Sequence, residues 1–383
     1  MKIKKVEFTD FRNVESEEIS FSDGINVIWG ENAQGKTNIV EGIYLFARGK
    51  GFRAAKDKEL IRFGKDISYV KLFFEKGGDD TEMGAEIQKT SKKIFYKNRV
   101  RAERISDIIG DFRAVLFCPS HLGIINDSPS VRRRFLDVAI SQLKPVYIKM
   151  LSRYNTVMEQ RNAILKMSPE ARENYKDMLG VYSSQLASLC ADIALMRYEY
   201  VKKLDVWVKK FFSEMTFGSE EPKIKYESDG WREGITKETA EKKYLSLLTE
   251  NVDKEIKYGA TLYGIHKDDL ETDLNGKDAR YYASQGQTRS FALAMKLAEG
   301  EISREETGEY PVFLLDDVLS ELDRSRKKYI LSNIKDRQVI ITCCERSLFC
   351  ASKDVFFVNI EGGRVKYPRR RKTPQKTASE KAQ

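Results

Sequence analysis

INVIWGENAQGKTNIVEGIYLF, residues 25–46, passes from an apolar run into a glycine-bearing loop and out into a helical pattern. Ile25 to Trp29 read as a buried strand, and Ile39, Ile43, Phe46 and Ala47 recur at the three- and four-residue steps of a helix. Between them Gly30, Glu31, Asn32, Ala33, Gln34, Gly35, Lys36 and Thr37 fit the G-x-x-x-x-G-K-[ST] pattern, with Asn38 beside them. Glycine at both ends lets backbone N–H groups turn inward on a β-phosphate. Lys36 then reaches the β- and γ-phosphates, and the Thr37 hydroxyl ligates Mg²⁺. An ordinary strand-to-helix turn is the competing reading, and the flanking strand and helix weigh against it.

Such a loop requires a carboxylate at the end of a second buried strand, and PVFLLDDVLSELD, residues 311–323, supplies one. Val312 to Leu315 are apolar; Asp316 then falls at the carboxyl edge of a parallel sheet, where it can hold the magnesium shell. Asp317 can orient or deprotonate the attacking water. Two further short stretches remain. Ser284, Gln285, Gly286 and Gln287 precede a helical pattern and place free backbone donors at a helix N-terminus, either as an anion site or as a plain N-cap. Ser320, Glu321 and Asp323 follow the acidic pair.

SQGQ resembles the signature motif of ABC-type ATPases, and SELD resembles their D-loop. In that family the signature of one subunit closes over nucleotide held by the P-loop of the other. The resemblance thus implies a homodimer with two shared ATP sites, Ser284 and Gly286 acting in trans and Lys36 and Asp317 serving catalysis. FTDFRNVES, INVIWGENAQGKTNIVEGIYLFARGKGFR, SPSVRRRFLD, GIHKDDL, ASQGQTRS and FLLDDVLSELD fall in the order and spacing of the RecF family over most of residues 1–345. The chain is similar to that family of bacterial recombination mediators. This implies an α/β ABC-type ATPase head with mixed β-sheets and an inserted helical subdomain.

It also implies a weak DNA-stimulated ATPase that uses ATP as a dimerisation switch. The expected role is replication, recombinational repair and the SOS response, with single-stranded, gapped or duplex DNA and the proteins RecR and RecO as partners, and RecA loaded at gapped DNA. VIITCC ends without the histidine that ABC transporters use as γ-phosphate sensor, so Thr342 or a neighbour takes that place and hydrolysis is slow. The alternatives are a DNA-bridging ATPase of the SMC and Rad50 type, disfavoured by the short helical insertion, and a P-loop ATPase that does not act on DNA.

Hydrophobic residues are 41% and charged residues 33% of the 383, the balance of a globular chain rather than a disordered one. The five cysteines show no C-x-x-C spacing, which disfavours zinc and a disulfide framework. The start MKIKKVEF lacks the apolar core of a leader, and no unbroken apolar run reaches membrane-spanning length; a cytoplasmic location without membrane contact is expected.

Organisation follows the patterning. Residues 1–130 are expected to form an N-terminal ATPase lobe, 131–257 the inserted helical subdomain, and 258–367 a C-terminal lobe with signature, acidic strand and D-loop. Residues 368–383 form a basic tail expected to be disordered. Within 65–118 short strand-like runs alternate with turns, and TFGSEEPKIKYESDGWREG reads as a turn-rich boundary. From Leu186 to Met215 apolar residues recur at helical steps, facing a neighbouring helix.

The net charge of +9 concentrates in three places. The tail carries six basic residues against one acid, either an arm for a polyanion or a solubilising end. Arg48, Lys50, Arg53, Lys56 and Lys58 occupy a glycine-containing loop that could track DNA phosphates without reading bases. Arg132, Arg133 and Arg134 stand at a helix start, where the dipole disfavours cations. An internal carboxylate such as Asp137 or an anionic partner must offset them, and Arg134 is expected to be internal.

Overall fold

The structure, a computed structural model, describes residues 1–349 and 354–366; the expected basic tail lies outside the described residues. The period-two patterning at the N-terminus forms an antiparallel pair, Lys2–Phe11 with Val14–Ser20. Ile67–Lys76, Asp79–Gln88, Ile94–Lys97 and Val100–Arg101 extend it to a six-stranded antiparallel sheet. Alternation sets its two faces: Ser68, Val70, Leu72 and Phe74 are buried while Ile67, Tyr69 and Lys71 are exposed.

The continuous apolar runs go elsewhere. Ile25–Trp29, Val339–Cys343, Val312–Asp316 and Ala114–Phe117 lie side by side as parallel strands, with Val355–Glu361 parallel on the other flank of Ile25–Trp29 and Arg364–Lys366 closing that edge. Strands covered on both faces need apolar residues at every position. That is why AVLF leaves the antiparallel strands that precede it and joins this sheet.

The helix Lys36–Arg48 is held between the two sheets. One face of the parallel sheet, with Ile28, Leu116, Leu314 and Ile340, packs toward it in a shared core. The opposite face, with Val27, Phe117, Leu315 and Ile341, packs against the helices of a second core. Gly42 permits the close approach of helix to antiparallel sheet, because a Cβ there would stand 2.3 Å from the Phe8 ring.

Helices Pro129–Leu143, Pro145–Leu165, Lys176–Thr216, Lys237–Glu250 and Val252–Tyr258 make the middle of the chain. The apolar stripe from Leu186 to Met215 packs into the second core as expected. Lys176–Thr216 is long and apolar enough to cross a membrane by length and composition alone, yet Leu186, Ile193 and Leu204 on it are fully buried among neighbouring helices.

The turn-rich stretch expected to be a boundary contains a strand. Pro222–Glu227 pairs antiparallel with Asp269–Leu274, and Lys277–Asp278 completes a third sheet. Ile224 and Tyr226 alternate with Lys223 and Lys225, a short period-two run hidden between turn residues. This sheet joins residues on both sides of position 257.

Buried ion pairs reinforce the junction. Arg132 is 1% exposed and makes a bidentate pair with Asp269, 2.7 Å for each bond. Arg197 reaches Asp268 at 2.9 Å and Asp137 at 2.8 Å. The triple-arginine expectation is thereby corrected: Arg132 is the internal residue, Arg133 donates to the Asp268 carbonyl at 2.7 Å, and Arg134 is exposed. The carboxylates of GIHKDDL are the anions that offset this helix start.

Candidate functional site

The parallel strand Ile25–Trp29 delivers Gly30 to the loop, and the loop turns into the helix through Gly35, whose φ of 110° is open to glycine. Lys36 is buried and its ammonium donates to the carbonyls of Gly30 at 2.7 Å and Glu31 at 2.8 Å. The lysine thus folds back over its own loop, while Glu31, Asn32 and Ala33 remain exposed. The loop is braced from outside by a residue with no assigned role in the sequence reading. Asn13 donates to the Gln34 carbonyl at 3.1 Å and accepts from Asn38 at 2.8 Å. The turn after Val355–Glu361 adds a bond from the Gly363 N–H to the same Gln34 carbonyl at 2.9 Å. A Cβ at Gly363 would stand 2.4 Å from the Asn13 carbonyl oxygen.

The acidic strand meets this loop directly. Asp316 is 4% exposed, and its Oδ1 accepts from the Thr37 hydroxyl and the Thr342 hydroxyl, each at 2.9 Å. Burial pushes the Asp316 carboxyl above the usual carboxylate range, while the Thr342 and Thr37 bonds and the nearby Arg53 charge pull the other way. A threonine hydroxyl against a carboxylate is a hard oxygen set that fits Mg²⁺. Thr342 also accepts from the Asp317 N–H at 2.9 Å, so its hydroxyl is committed to the acidic pair. Two residues on, Cys344 donates to the Asn32 Oδ1 at 2.9 Å and lies 3.7 Å from the Lys36 ammonium, at the loop surface.

Asp317 takes a left-handed conformation, φ 52°, and leads into the turn Val318–Glu321. Ser320 donates to the Asp317 carbonyl at 2.6 Å, and Asp323 caps the helix Arg324–Asn333 by accepting from the Arg326 N–H at 2.9 Å. Arg326 then joins two motifs: its Nη2 donates to the Gly286 carbonyl and its Nε to the Ser290 hydroxyl, both at 2.9 Å, while its Nη1 pairs with Asp323. Arg289 and Glu321 add a longer contact at 3.4 Å.

Ser284 begins the helix Gln285–Thr307 in a reciprocal cap: its hydroxyl accepts from the Gln287 N–H at 3.3 Å and its own N–H donates to the Gln287 side chain at 2.7 Å. Ser284 and Gln285 are exposed, and Gln287 also meets Glu220. Among the described residues none of Ser284, Gln285, Gly286 and Gln287 hydrogen-bonds to the phosphate loop of its own chain. The structure brings Gly30, Lys36, Thr37, Asp316 and Asp317 together and leaves the Ser284 turn facing outward.

The basic loop divides. Lys50, Arg53, Lys56 and Lys58 are exposed, but Arg48, in the last turn of the loop helix, turns into a cleft and meets the Gly51 carbonyl at 3.3 Å. Buried Glu41 holds the backbone of Arg53 by accepting from the N–H groups of Arg53 and Ala54 at 2.9 and 3.0 Å, and the Arg53 charge acts on Asp316. Glu41 is neutralised in turn by Arg12 at 2.8 Å.

The family model described as RecF/RecN/SMC N terminal domain matches residues 2–366. A protein of Thermoanaerobacter sp. (strain X514) named DNA replication and repair protein RecF is 38% identical over 343 residues, covering 89% of this chain and 94% of its own. One of the same name from Clostridium novyi (strain NT) is 41% identical over 346 residues, covering 89% and 92%. A solved structure of the recombination mediator protein RecF with ATP, in the RecFOR pathway, superposes with a TM-score of 0.86 at 34% identity, covering 95% of this chain and 97% of that one. The Smc head domain of Pyrococcus furiosus, at 17% identity and a TM-score of 0.54 over 95% of each chain, shares the fold.

Proposed function

The chain belongs to the RecF family of DNA replication and repair proteins, and from that premise we propose that it is an ATP-switched homodimer that binds DNA during recombinational repair. The observation that carries the dimer is the outward-facing Ser284 turn: its backbone donors lie at a helix N-terminus, uncommitted to the phosphate loop of the same chain. A second copy's nucleotide supplies the missing anion. Lys36 and the loop N–H groups bind the phosphates, Thr37 and Asp316 hold Mg²⁺, Asp317 supports the attacking water, and Ser284 with Gly286 contacts the γ-phosphate across the dimer.

Mg²⁺ supplies charge neutralisation at the β- and γ-phosphate oxygens when bound. Arg53, its backbone held by Glu41 and its charge acting on Asp316, adds positive charge on the same side. Thr342 is occupied by Asp316 and Asp317, which supports slow turnover. Lys50, Lys56 and Lys58 offer phosphate contacts that read no bases. RecR and RecO are the partners in this reading, RecA loading on gapped DNA is the outcome, and the cytoplasm is the location. The test is ATP turnover with and without gapped DNA, in the native protein and in Lys36→Ala. The reading expects slow hydrolysis, stimulated by DNA and lost in the variant; turnover that ignores DNA and survives the substitution contradicts it.

A further inference from the structure

A cleft of about 250 Å³ opens where four elements meet: the end of Lys36–Arg48, the turn Pro119–Gly123, the start of Pro129–Leu143 and the middle of Gln285–Thr307. Tyr44, Phe52 and Phe135 give it aromatic walls. Its floor is a buried ion pair, Lys296 with Glu299 at 2.9 Å, which cancels internally. Burial, with the charges of Lys296 and Arg48, holds His121 below the usual histidine range, so it adds no charge at neutral pH.

Arg48 and Arg134 remain. Arg48 meets one carbonyl and no carboxylate, and Arg134 meets no hydrogen-bond or ion-pair partner, among the described residues. The two line the same cleft, and burial, with the Arg134 charge, depresses the Arg48 pKa. Lys50 and Lys93 stand on the same side, and burial, with the charges of Lys50 and Arg48, depresses Lys93, whose own partner is Asp57 at 2.5 Å. The remaining acid on the cleft wall, Asp127, forms no ion pair among the described residues. Like charges converging on a half-buried cleft are costly unless an anion bridges them, and two planar guanidinium groups suit the tetrahedral oxygens of phosphate.

We propose that this cleft is a phosphate-binding site, separate from the nucleotide loop, with Arg48 and Arg134 as its ligands. The phosphate comes either from a nucleic-acid backbone, an arm that rests on the DNA-binding reading above, or from free phosphate. Arg134 is exposed, so Arg134→Ala and Arg134→Glu leave the core intact; ATP binding serves as the control and stays unchanged.

Three readouts test the site: the affinity and salt dependence of a short single strand and its duplex, and, with the Lys36 loop already filled by a non-hydrolysable ATP analogue, the phosphorus NMR line width of inorganic phosphate and the thermal midpoint. If backbone phosphate is the ligand, Arg134→Ala binds DNA several-fold more weakly and the salt slope falls by about one. If free phosphate is the ligand, DNA affinity holds, while line broadening and phosphate's stabilisation of the fold are lost. In both cases Arg134→Glu raises the midpoint in chloride buffer, because it neutralises Arg48. Native DNA affinity, native phosphate broadening and an unchanged midpoint in both variants would overturn the site. Wild-type protein that binds phosphate here but no DNA sinks the DNA reading and spares the cleft.

Discussion

Asp316 is a carboxylate kept out of water, and its Oδ1 is shared by two hydroxyls. Burial raises its pKa, so the folded chain holds this proton more tightly than the unfolded chain does. The resulting stability is greatest at acid pH and is lost as pH rises through the raised value; at neutral pH the charge is a cost. Asp316→Asn keeps the acceptor and removes the charge. The nucleotide-free variant should be more stable at neutral pH by on the order of 1 kcal/mol, with the gap closing on acidification, while Mg²⁺-dependent turnover disappears. Thermal midpoints across pH check this, and a variant less stable at neutral pH contradicts it. At this scale the sequence exposed the residues of contiguous motifs and hid those that brace them. Asn13 and Gly363 touch the loop from distant positions, and nothing in FRN or EGG marks them as its support. Arg48 and Arg53 sit in one charge run, but helix geometry turns the first into a cleft, while Glu41 ties down the backbone of the second and leaves its side chain exposed.

Among the elements, the turn at Ser284 and the turn Val318–Glu321 are one mechanical unit because Arg326 bonds to Gly286, Ser290 and Asp323. Removing that side chain leaves each turn capped by its own residues, Ser284 and Asp323, but frees their relative position. Arg326→Ala should weaken ATP-dependent dimerisation on the order of tenfold, the worth of a lost charged hydrogen-bond set, with nucleotide affinity of the monomer unchanged. Sedimentation with titrated ATP measures the first and a fluorescent nucleotide the second; equal loss in both would place Arg326 in the nucleotide site instead. Strands buried on both faces were legible as apolar runs, and the helix after Lys36 as a periodic one. Pro222–Glu227 was not, because its alternation spans six residues and its partner lies beyond two intervening helices.

For the whole molecule, the helices in the middle of the chain are fastened to the strand Asp269–Leu274 by a shared sheet and by Arg132 on Asp269. Asp269→Ala leaves a buried guanidinium without its carboxylate, and denaturant unfolding should show a loss of ~3–5 kcal/mol. A loss under about 1 kcal/mol would mean that Arg132 finds water or Asp268 instead. The α/β ATPase-head fold was readable from motif order, since each motif is local; the fastening was not, since an arginine triplet does not show which member turns inward. The account stands most directly on the mass of the protein in solution without nucleotide, with ATP and Mg²⁺, and with ATP in the separate variants Lys36→Met and Ser284→Arg. Shared sites predict that ATP doubles the mass of the native protein and that neither variant dimerises. A native protein that binds ATP and keeps its monomer mass would contradict the account and make the phosphate loop that of a one-subunit ATPase.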